Sequence, residues 1–186
     1  MDTKSMIIDI TTTLFQQKGY KGVGVNEILK VCNISKGSFY HHFPNGKEEA
    51  LIACLQSMSD AVTSDIEDIF NRYPTTQEAT KKMIEKVIGI FEREGTITSC
   101  TFISIVSEMG SLSDPVRKTC EDLYLKMQRI YSTKLVADGF SKETANSIAV
   151  MMNASIEGGI MICLTEKTSE PLKIISRLLP NLLKKG

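Results

Sequence analysis

The chain has 186 residues, of which 42% are hydrophobic and 24% are charged. This composition is sufficient to build the core of one domain or of two small ones. No apolar run approaches the roughly 20 residues that span a bilayer. Asp2 and Asp9 lie among the first residues, and no signal-peptide core follows them. We therefore expect a cytoplasmic protein that does not insert into a membrane.

The formal net charge is zero, but it is unevenly distributed along the chain. Residues 1–47 contain six lysines against three acidic residues, so this part carries +3 and the remainder carries −3. A basic N-terminal part would suit a polyanionic partner held by a few phosphate contacts. The alternative interpretation is an ordinary solvated face, because charge alone does not identify a partner.

The first predicted helix covers residues 3–18 and ends at Gly19. Its expected inward positions are Ile7, Ile10, Leu14 and Phe15. We expect this helix to pack on the segment that follows it and to direct its N-terminus toward phosphate.

Residues 25–47 predict two short helices joined by a tight turn. The apolar positions of the first are one face of a helix: Val25, Ile28, Leu29 and Cys32. Ser35 can cap a second helix, in which Phe39 and Phe43 lie one turn apart and face inward. The residues on its other side are Lys36, Gly37, Ser38, Tyr40 and His41. This arrangement predicts a helix-turn-helix.

The exposed side of the second short helix has the chemistry of a nucleic-acid contact. Lysine, serine and tyrosine side chains reach phosphate oxygens. A glycine lets the backbone approach a base edge or a thymine methyl group closely. Double-stranded DNA is therefore the expected partner of this face.

Four segments together resemble the N-terminal DNA-binding domain of TetR-type repressors. They are Gly19-Tyr20, Val25-Asn26-Glu27-Ile28, the stretch from Ile34 to Phe43, and Lys47-Glu48-Glu49-Ala50-Leu51. The similarity covers roughly the first fifty residues, which is more specific than a short motif. Between Phe43 and Lys47 the chain reads Pro44-Asn45-Gly46, one residue longer than is usual in the family. That turn is similar to the branch typified by the lincomycin-resistance repressor, whose members respond to antibiotics or flavonoids.

The resemblance implies an all-α fold with a DNA-binding domain over residues 1–47 and a helical ligand-binding and dimerisation domain over residues 48–186. It implies a homodimer that binds a palindromic operator as a repressor and is released by a small hydrophobic inducer. The residues expected at phosphate are Ser35, Lys36, Tyr40, His41 and Lys47. The residues expected nearest the base edges are Gly37, Ser38 and His41.

The remaining chain also has helical periodicity throughout, which brings the expected total to about nine helices. A long helix should follow Gly46 and run toward Tyr73, before Pro74 stops it. The later helices are expected at about residues 75–95, 102–109, 115–137, 141–164 and 171–184.

The last two predicted helices are the candidates for a dimer interface. Their apolar stripes provide the expected contact residues, which are Ala149, Ile156, Ile160, Cys163, Leu172, Ile175 and Leu179. The same stripes would also suit core within one chain, because periodicity does not distinguish the two environments.

The middle helices contain the residues expected to form a ligand cavity: Phe91, Phe102, Ile105, Met109, Tyr124, Met127, Tyr131, Met151 and Met152. Ordinary core is the alternative for each of them. Asn153 and Glu157 lie one turn apart in an apolar helix and could orient a ligand, bond across an interface or face solvent. Glu108 raises the same question.

Neither catalysis nor metal binding is predicted. His41 and His42 are the only histidines, and both belong to the second short helix. The five cysteines are scattered without paired spacing, so no zinc site, disulfide framework or cofactor is expected. Two alternatives remain open, a helical protein-interaction adaptor and a redox-responsive regulator without a small-molecule inducer.

Overall fold

The computed structural model describes residues 2–97, 108 and 113–183. These residues form eight α-helices and no strand. The helices are α1 (Thr3–Lys18), α2 (Val25–Cys32), α3 (Lys36–His42), α4 (Lys47–Arg72), α5 (Thr76–Glu94), α6 (Asp114–Ala137), α7 (Lys142–Glu166) and α8 (Glu170–Leu182). The predicted all-α fold is confirmed. The helix predicted at residues 102–109 lies outside the described residues, apart from Glu108.

Local capping chemistry explains several of the helix ends. The Asp2 side chain accepts a hydrogen bond from the Ser5 backbone N–H at 2.7 Å and so begins α1. Thr75 caps α5 in the same way through the Glu78 N–H. Gly95 ends α5 in the left-handed conformation, which glycine adopts without steric cost.

The chain divides into two compact units. The first contains Met1–Ala61 and Thr101–Asp122, and the second contains Val62–Cys100 and Leu123–Gly186. Helices α4 and α6 each contribute residues to both units. The predicted domain boundary after residue 47 remains a prediction.

The core of the first unit surrounds the helix-turn-helix. Ile7, Phe39, Phe43 and Leu51 are fully buried there. Helices α1 and α2 pack together, and Lys18 on α1 forms an ion pair with Glu27 on α2. Helices α1, α2 and α4 thus hold α3 in a fixed orientation through one apolar centre.

Helix α8 packs against both α5 and α7 in the second unit. The approach to α7 is close, since a Cβ atom added at Gly159 would lie 2.4 Å from Ile175 Cδ1. Glu92 on α5 accepts hydrogen bonds at 2.7 Å from both Ser169 Oγ and Lys173 Nζ at the start of α8. These contacts hold the start of α8 against α5.

Among the described residues, one helix is long and apolar enough to cross a membrane, and it is α7, with a mean hydropathy of 1.6 over its most apolar window. The core helix of a soluble protein meets the same two criteria. The buried positions of α7 recur every three or four residues, as expected for a helix packed on one side.

Candidate nucleic-acid interface and ligand cavity

The turn between α2 and α3 has the geometry of a helix-turn-helix. Asn33 ends α2 in the left-handed conformation, with φ of 52°, and the Ile34 N–H donates to the Leu29 carbonyl at 3.1 Å. Ser35 then begins α3 by accepting a hydrogen bond from the Ser38 N–H at 3.1 Å. Because the bend is closed by backbone and cap hydrogen bonds, the direction of α3 is well determined.

Helix α3 separates an inner from an outer face. Phe39 and Phe43 are fully buried, and their ring centroids lie 5.4 Å apart. The residues on the outer side are exposed or half-buried: Ser35, Lys36, Gly37, Ser38, Tyr40 and His41. Lys36 Nζ lies 5.9 Å from the centroid of the Tyr40 ring, so both polar tips belong to one surface. Six of the seven residues predicted to contact DNA therefore share a single accessible face.

Among the residues that the structure describes, none requires a glycine at position 37. A Cβ atom added there would meet only Ser35 Oγ, at 3.9 Å, which is an ordinary contact distance. The backbone at this position is also regular helix, in which glycine is unfavourable relative to alanine. The residue is explained if another molecule approaches the backbone closely at this point.

Lys47, the seventh predicted contact, is largely engaged within the first unit. Its ammonium group donates to the carbonyl oxygens of Tyr20 at 3.0 Å and Val23 at 2.9 Å. The same Nζ lies 4.0 Å from the centroid of the Tyr20 ring. Burial lowers the pKa of Lys47, while the carboxylate of Glu108 opposes this shift. Since an ammonium group has three N–H bonds, at most one remains for a phosphate.

Glu108 braces the loop between α1 and α2, a role that sequence reasoning missed. Its two carboxylate oxygens accept hydrogen bonds from the backbone N–H groups of Tyr20 at 2.9 Å and Lys21 at 2.7 Å. Gly19 has a φ of 70°, which favours glycine, and a Cβ atom added there would also lie 2.9 Å from Glu108 Oε2. The partners are separated by 87 and 88 positions in sequence, which no local pattern reveals.

A second contact joins the same distant segment to the first turn of α4. The Ser113 hydroxyl donates to Glu48 Oε1 at 2.6 Å. Glu108 thus contacts the loop between α1 and α2, and Ser113 contacts the first turn of α4. Both contacts belong to the first unit.

The second unit contains a cavity of about 230 Å³. Its lining comes from four helices and Ile97, and comprises Val62, Asp65, Ile66, Ile69, Met83, Lys86, Val87, Ile90, Ile97, Met127, Tyr131, Asn153, Ile156, Glu157 and Ile160. Aliphatic side chains dominate, and a few polar groups interrupt them. This composition is typical of sites for small organic molecules, although the volume is somewhat below the usual range of roughly 300 to 1,000 Å³.

The polar groups of the cavity differ in how far they are satisfied. Lys86 and Asp65 form an ion pair with each other. Asn153 Nδ2 donates to the Tyr124 carbonyl at 3.4 Å, and the Tyr131 hydroxyl lies 3.4 Å from the sulfur of Met83. Burial, together with the charge of Glu157, raises the pKa of Tyr131, so the phenol stays neutral.

Glu157 is the carboxylic acid of the cavity wall whose ionisation is opposed by burial. Burial raises its pKa to about 7, because the charged carboxylate loses hydration among apolar neighbours. No ion pair joins it to another residue in the described part of the chain. A carboxyl group that changes charge near neutral pH is thus placed in the wall of an apolar chamber.

The residues predicted for the ligand site lie in several different environments. Met127, Tyr131, Asn153 and Glu157 line the cavity. Phe91 and Met152 are buried in the core but do not line it, and Met151 is 37% exposed. Tyr124 is half-buried and contributes its carbonyl to Asn153. Phe102, Ile105 and Met109 lie outside the described residues.

The predicted dimer interface remains a prediction. Six of its residues are buried within the single chain: Ala149, Ile156, Ile160, Cys163, Leu172 and Leu179. Ile156 and Ile160 face the cavity, while Ile175 is half-buried against Gly159. The apolar side chains that α7 and α8 leave exposed are Val150, Met151, Met161, Ile162, Ile174, Leu178 and Leu182.

The described cysteines are all buried free thiols: Cys32, Cys54, Cys120 and Cys163. Burial raises the pKa of each, for Cys54 to about 12, which keeps the thiols protonated and poorly nucleophilic. Cys100 lies outside the described residues. No group of three potential metal ligands occurs in the described part of the chain.

A helix-turn-helix with an outward polar face, in a chain that also contains an apolar cavity, is typical of transcriptional regulators. Two family models match the chain: "Bacterial regulatory proteins, tetR family" over residues 7–54, and "Transcriptional regulator LmrA/YxaF-like, C-terminal domain" over residues 76–178. The protein belongs to the TetR family and has an LmrA/YxaF-like C-terminal domain. The predicted family and branch are therefore confirmed.

Similar proteins and structures agree with this assignment. The transcriptional regulators YxaF and LmrA of Bacillus subtilis (strain 168) are each 33% identical over 184 residues, which is 99% of this chain and 96% and 98% of theirs. The crystal structure of the reduced form of Escherichia coli NemR superposes with a TM-score of 0.89 at 21% identity, covering 100% of both chains. A TetR regulator from Legionella pneumophila gives 0.83 at 20% identity, covering 99% of this chain and 98% of that one. The chain is a transcriptional regulator and not an enzyme.

Proposed function

We propose that the protein represses transcription as a homodimer on a palindromic operator and that a small hydrophobic molecule in the cavity releases it. The observation that carries the proposal is the outward face of α3, where lysine, serine, tyrosine and histidine side chains surround a glycine that the fold itself does not need.

The proposed DNA contacts follow from the geometry of that face. Lys36, Tyr40 and His41 have exposed polar tips suited to phosphate or base edges. Gly37 and Ser38 at the start of α3 allow the backbone to enter the major groove. Lys47 has a mainly internal role, with one N–H left for a phosphate.

Dimerisation explains the apolar side chains that α7 and α8 expose. A single two-turn recognition helix makes too few contacts for specificity, so helix-turn-helix proteins bind as dimers to half-sites about 34 Å apart. Leu178 and Leu182 on α8 are 60% and 63% exposed and lie one helical turn apart. A contiguous exposed stripe of this kind suits an interface between two copies of the chain.

The response to a ligand depends on α4. Val62, Asp65, Ile66 and Ile69 on this helix line the cavity, and Lys47 at its other end bonds to the loop before α2. A ligand that favours one position of α4 would alter the arrangement of the two recognition helices. It can do so only as far as it binds the two conformations unequally, typically by about 1 to 3 kcal/mol.

The test is fluorescence anisotropy with DNA from upstream of the protein's own gene, titrated at several salt concentrations. We expect tight binding of a dimer, and Lys36→Ala should reduce the slope of log K against log salt by about one unit. Lys142→Ala is the matched control, because this lysine lies at the exposed start of α7.

The second part of the experiment adds hydrophobic antibiotics and flavonoids to the complex. Release by one of them supports the ligand response, and indifference to all of them contradicts it. The absence of sequence-specific binding at any salt concentration would favour the protein-interaction adaptor instead.

A further inference from the structure

We propose that the cavity selects a compact ligand with an apolar body and a positively charged nitrogen, which the carboxylate of Glu157 binds. This inference rests on the proposed function, since it names the chemical class of ligand for the same cavity. The structural basis is the distribution of charge over the cavity wall.

The charged residues of the wall are not equivalent. Asp65 on α4 and Lys86 on α5 form an ion pair, so their charges offset each other at the cavity. Both side chains are about half exposed, at 57% and 46%, which places their charged ends toward solvent. Glu157 on α7 has no such partner in the described chain, and the remaining titratable residue of the wall, Tyr131 on α6, is a neutral phenol.

Glu157 would therefore give the cavity a net negative charge whenever its carboxyl group is ionised. The neighbouring polar groups are already engaged, since Asn153 donates to a backbone carbonyl and the Tyr131 hydroxyl lies against a thioether. A cationic ligand supplies the missing counter-charge in a medium of low dielectric constant, where such a pair is strong. An anionic ligand would meet an uncompensated like charge.

The aromatic and aliphatic walls determine the rest of the ligand. Tyr131 lies against Phe70, with ring centroids 5.1 Å apart, and so presents a fixed aromatic surface. An aromatic ring also attracts a nearby cation through its negative face. The volume of about 230 Å³ suits a single ring with a short substituent.

Two probes of almost identical shape test the proposal. Benzyltrimethylammonium carries a permanent charge, and neopentylbenzene replaces its nitrogen with carbon. Binding to the full-length protein is measured by isothermal titration calorimetry and by the shift in melting temperature. We expect the cation to bind at least about tenfold more tightly at pH 8, and Glu157→Gln to abolish that preference.

Glu143→Gln is the matched control, because Glu143 is an exposed carboxylate in the first turn of the same helix. It should leave the preference unchanged. Equal affinity for the two probes, no binding of either, or a cation preference that survives Glu157→Gln would overturn the proposal.

A pH series on the unmodified protein gives a readout that does not depend on the variant folding. Since burial raises the pKa of Glu157 to about 7, the carboxyl group is mostly neutral at pH 6 and mostly ionised at pH 8. Affinity for the permanent cation should rise about tenfold across this range, while affinity for neopentylbenzene stays constant. A flat profile for the cation would contradict the assignment.

Operator binding separates this proposal from the one it rests on. If benzyltrimethylammonium binds through Glu157 without releasing DNA, the cation site stands and the proposed ligand response fails. If a neutral compound releases DNA while no cation preference exists, the ligand response stands and the cation site fails.

Discussion

The outer face of α3 and the wall of the cavity both contain polar groups. Those on α3 face solvent, whereas those of the cavity face the apolar interior. On α3 the side chains of Lys36, Tyr40 and His41 project from a fully apolar base into solvent. In the cavity, Asn153 and Glu157 project from a helix into an apolar interior. The first arrangement retains hydration and suits a large charged partner. In the second arrangement the polar groups lose contact with water, which suits a small molecule whose own groups bond to them.

The two regions also differ in how far apart in the sequence the residues that form them lie. The outer face needs only a correctly oriented helix, which nearby residues provide through a cap and two phenylalanines. The cavity needs four helices to converge, and its chemistry depends on residues far apart in the chain. Four substitutions would break or sharpen the comparison, beginning with the largest expected effect.

Phe39→Ala tests the apolar base of the recognition helix. Phe39 is fully buried and contacts Phe43, so its removal leaves a cavity that costs about 3 to 5 kcal/mol in the free energy of unfolding. Urea denaturation followed by circular dichroism measures the loss. Tyr40→Ala, one position along and 38% exposed, should cost under about 1 kcal/mol. Similar losses for the two variants would mean that α3 does not separate an inner from an outer face.

Gly37→Leu tests the outer face itself. The position is open in the free protein, so folding should be unchanged, whereas a bulky side chain would hold the backbone away from DNA. We expect operator affinity to fall by about 100-fold or more, which corresponds to about 2.7 kcal/mol. Anisotropy measures the affinity, and the melting temperature reports folding. Gly89→Leu is the control, since Gly89 is also helical and open, and retained binding in Gly37→Leu would exclude a close backbone approach.

Glu157→Gln tests the cavity without any ligand. The pKa of Glu157 is raised in the folded state to about 7, so the folded protein binds more protons than the unfolded chain between about pH 4.5 and 7. The stability that the carboxyl group contributes at low pH is therefore lost as pH rises through 7. Relative to the variant, the unmodified protein should lose about 1 to 3 kcal/mol between pH 5 and 8. Parallel pH profiles of unfolding free energy would show that Glu157 is not desolvated.

Glu108→Gln tests the brace on the first unit. One amide oxygen can accept only part of what two carboxylate oxygens accept, so the N–H of Tyr20 or Lys21 loses its partner. The expected cost is about 1 to 2 kcal/mol of unfolding free energy. Hydrogen exchange should show faster exchange at these two amides and unchanged exchange in α7. Unaltered protection of both amides would contradict the contact.

The sequence predicted those helix boundaries and buried positions that depend on residues close together in the chain. Helix α1 was predicted over residues 3–18 and is observed at Thr3–Lys18, because Gly19 provides an unambiguous end. The cap of α3 at Ser35 and the inward positions of Phe39 and Phe43 were equally local, and the structure agrees with them.

The dimer and cavity residues were harder to predict for a physical reason. An apolar stripe on a helix indicates burial but not what buries it, so Ile156 and Ile160 fitted an interface, a core and a cavity equally well. The structure shows that their neighbours belong to the same chain. Glu108 could not be assigned because its partners lie almost 90 positions away.

Helix α4 also limits how proteins of this family can diversify. It runs without interruption from Lys47 to Arg72, and its residues belong to both compact units. Because successive helical residues are rotated by about 100°, a one-residue insertion within α4 would turn every later side chain away from its partners. We therefore expect regulators built on such a helix to keep its length constant and to vary in length in the loops before and after it.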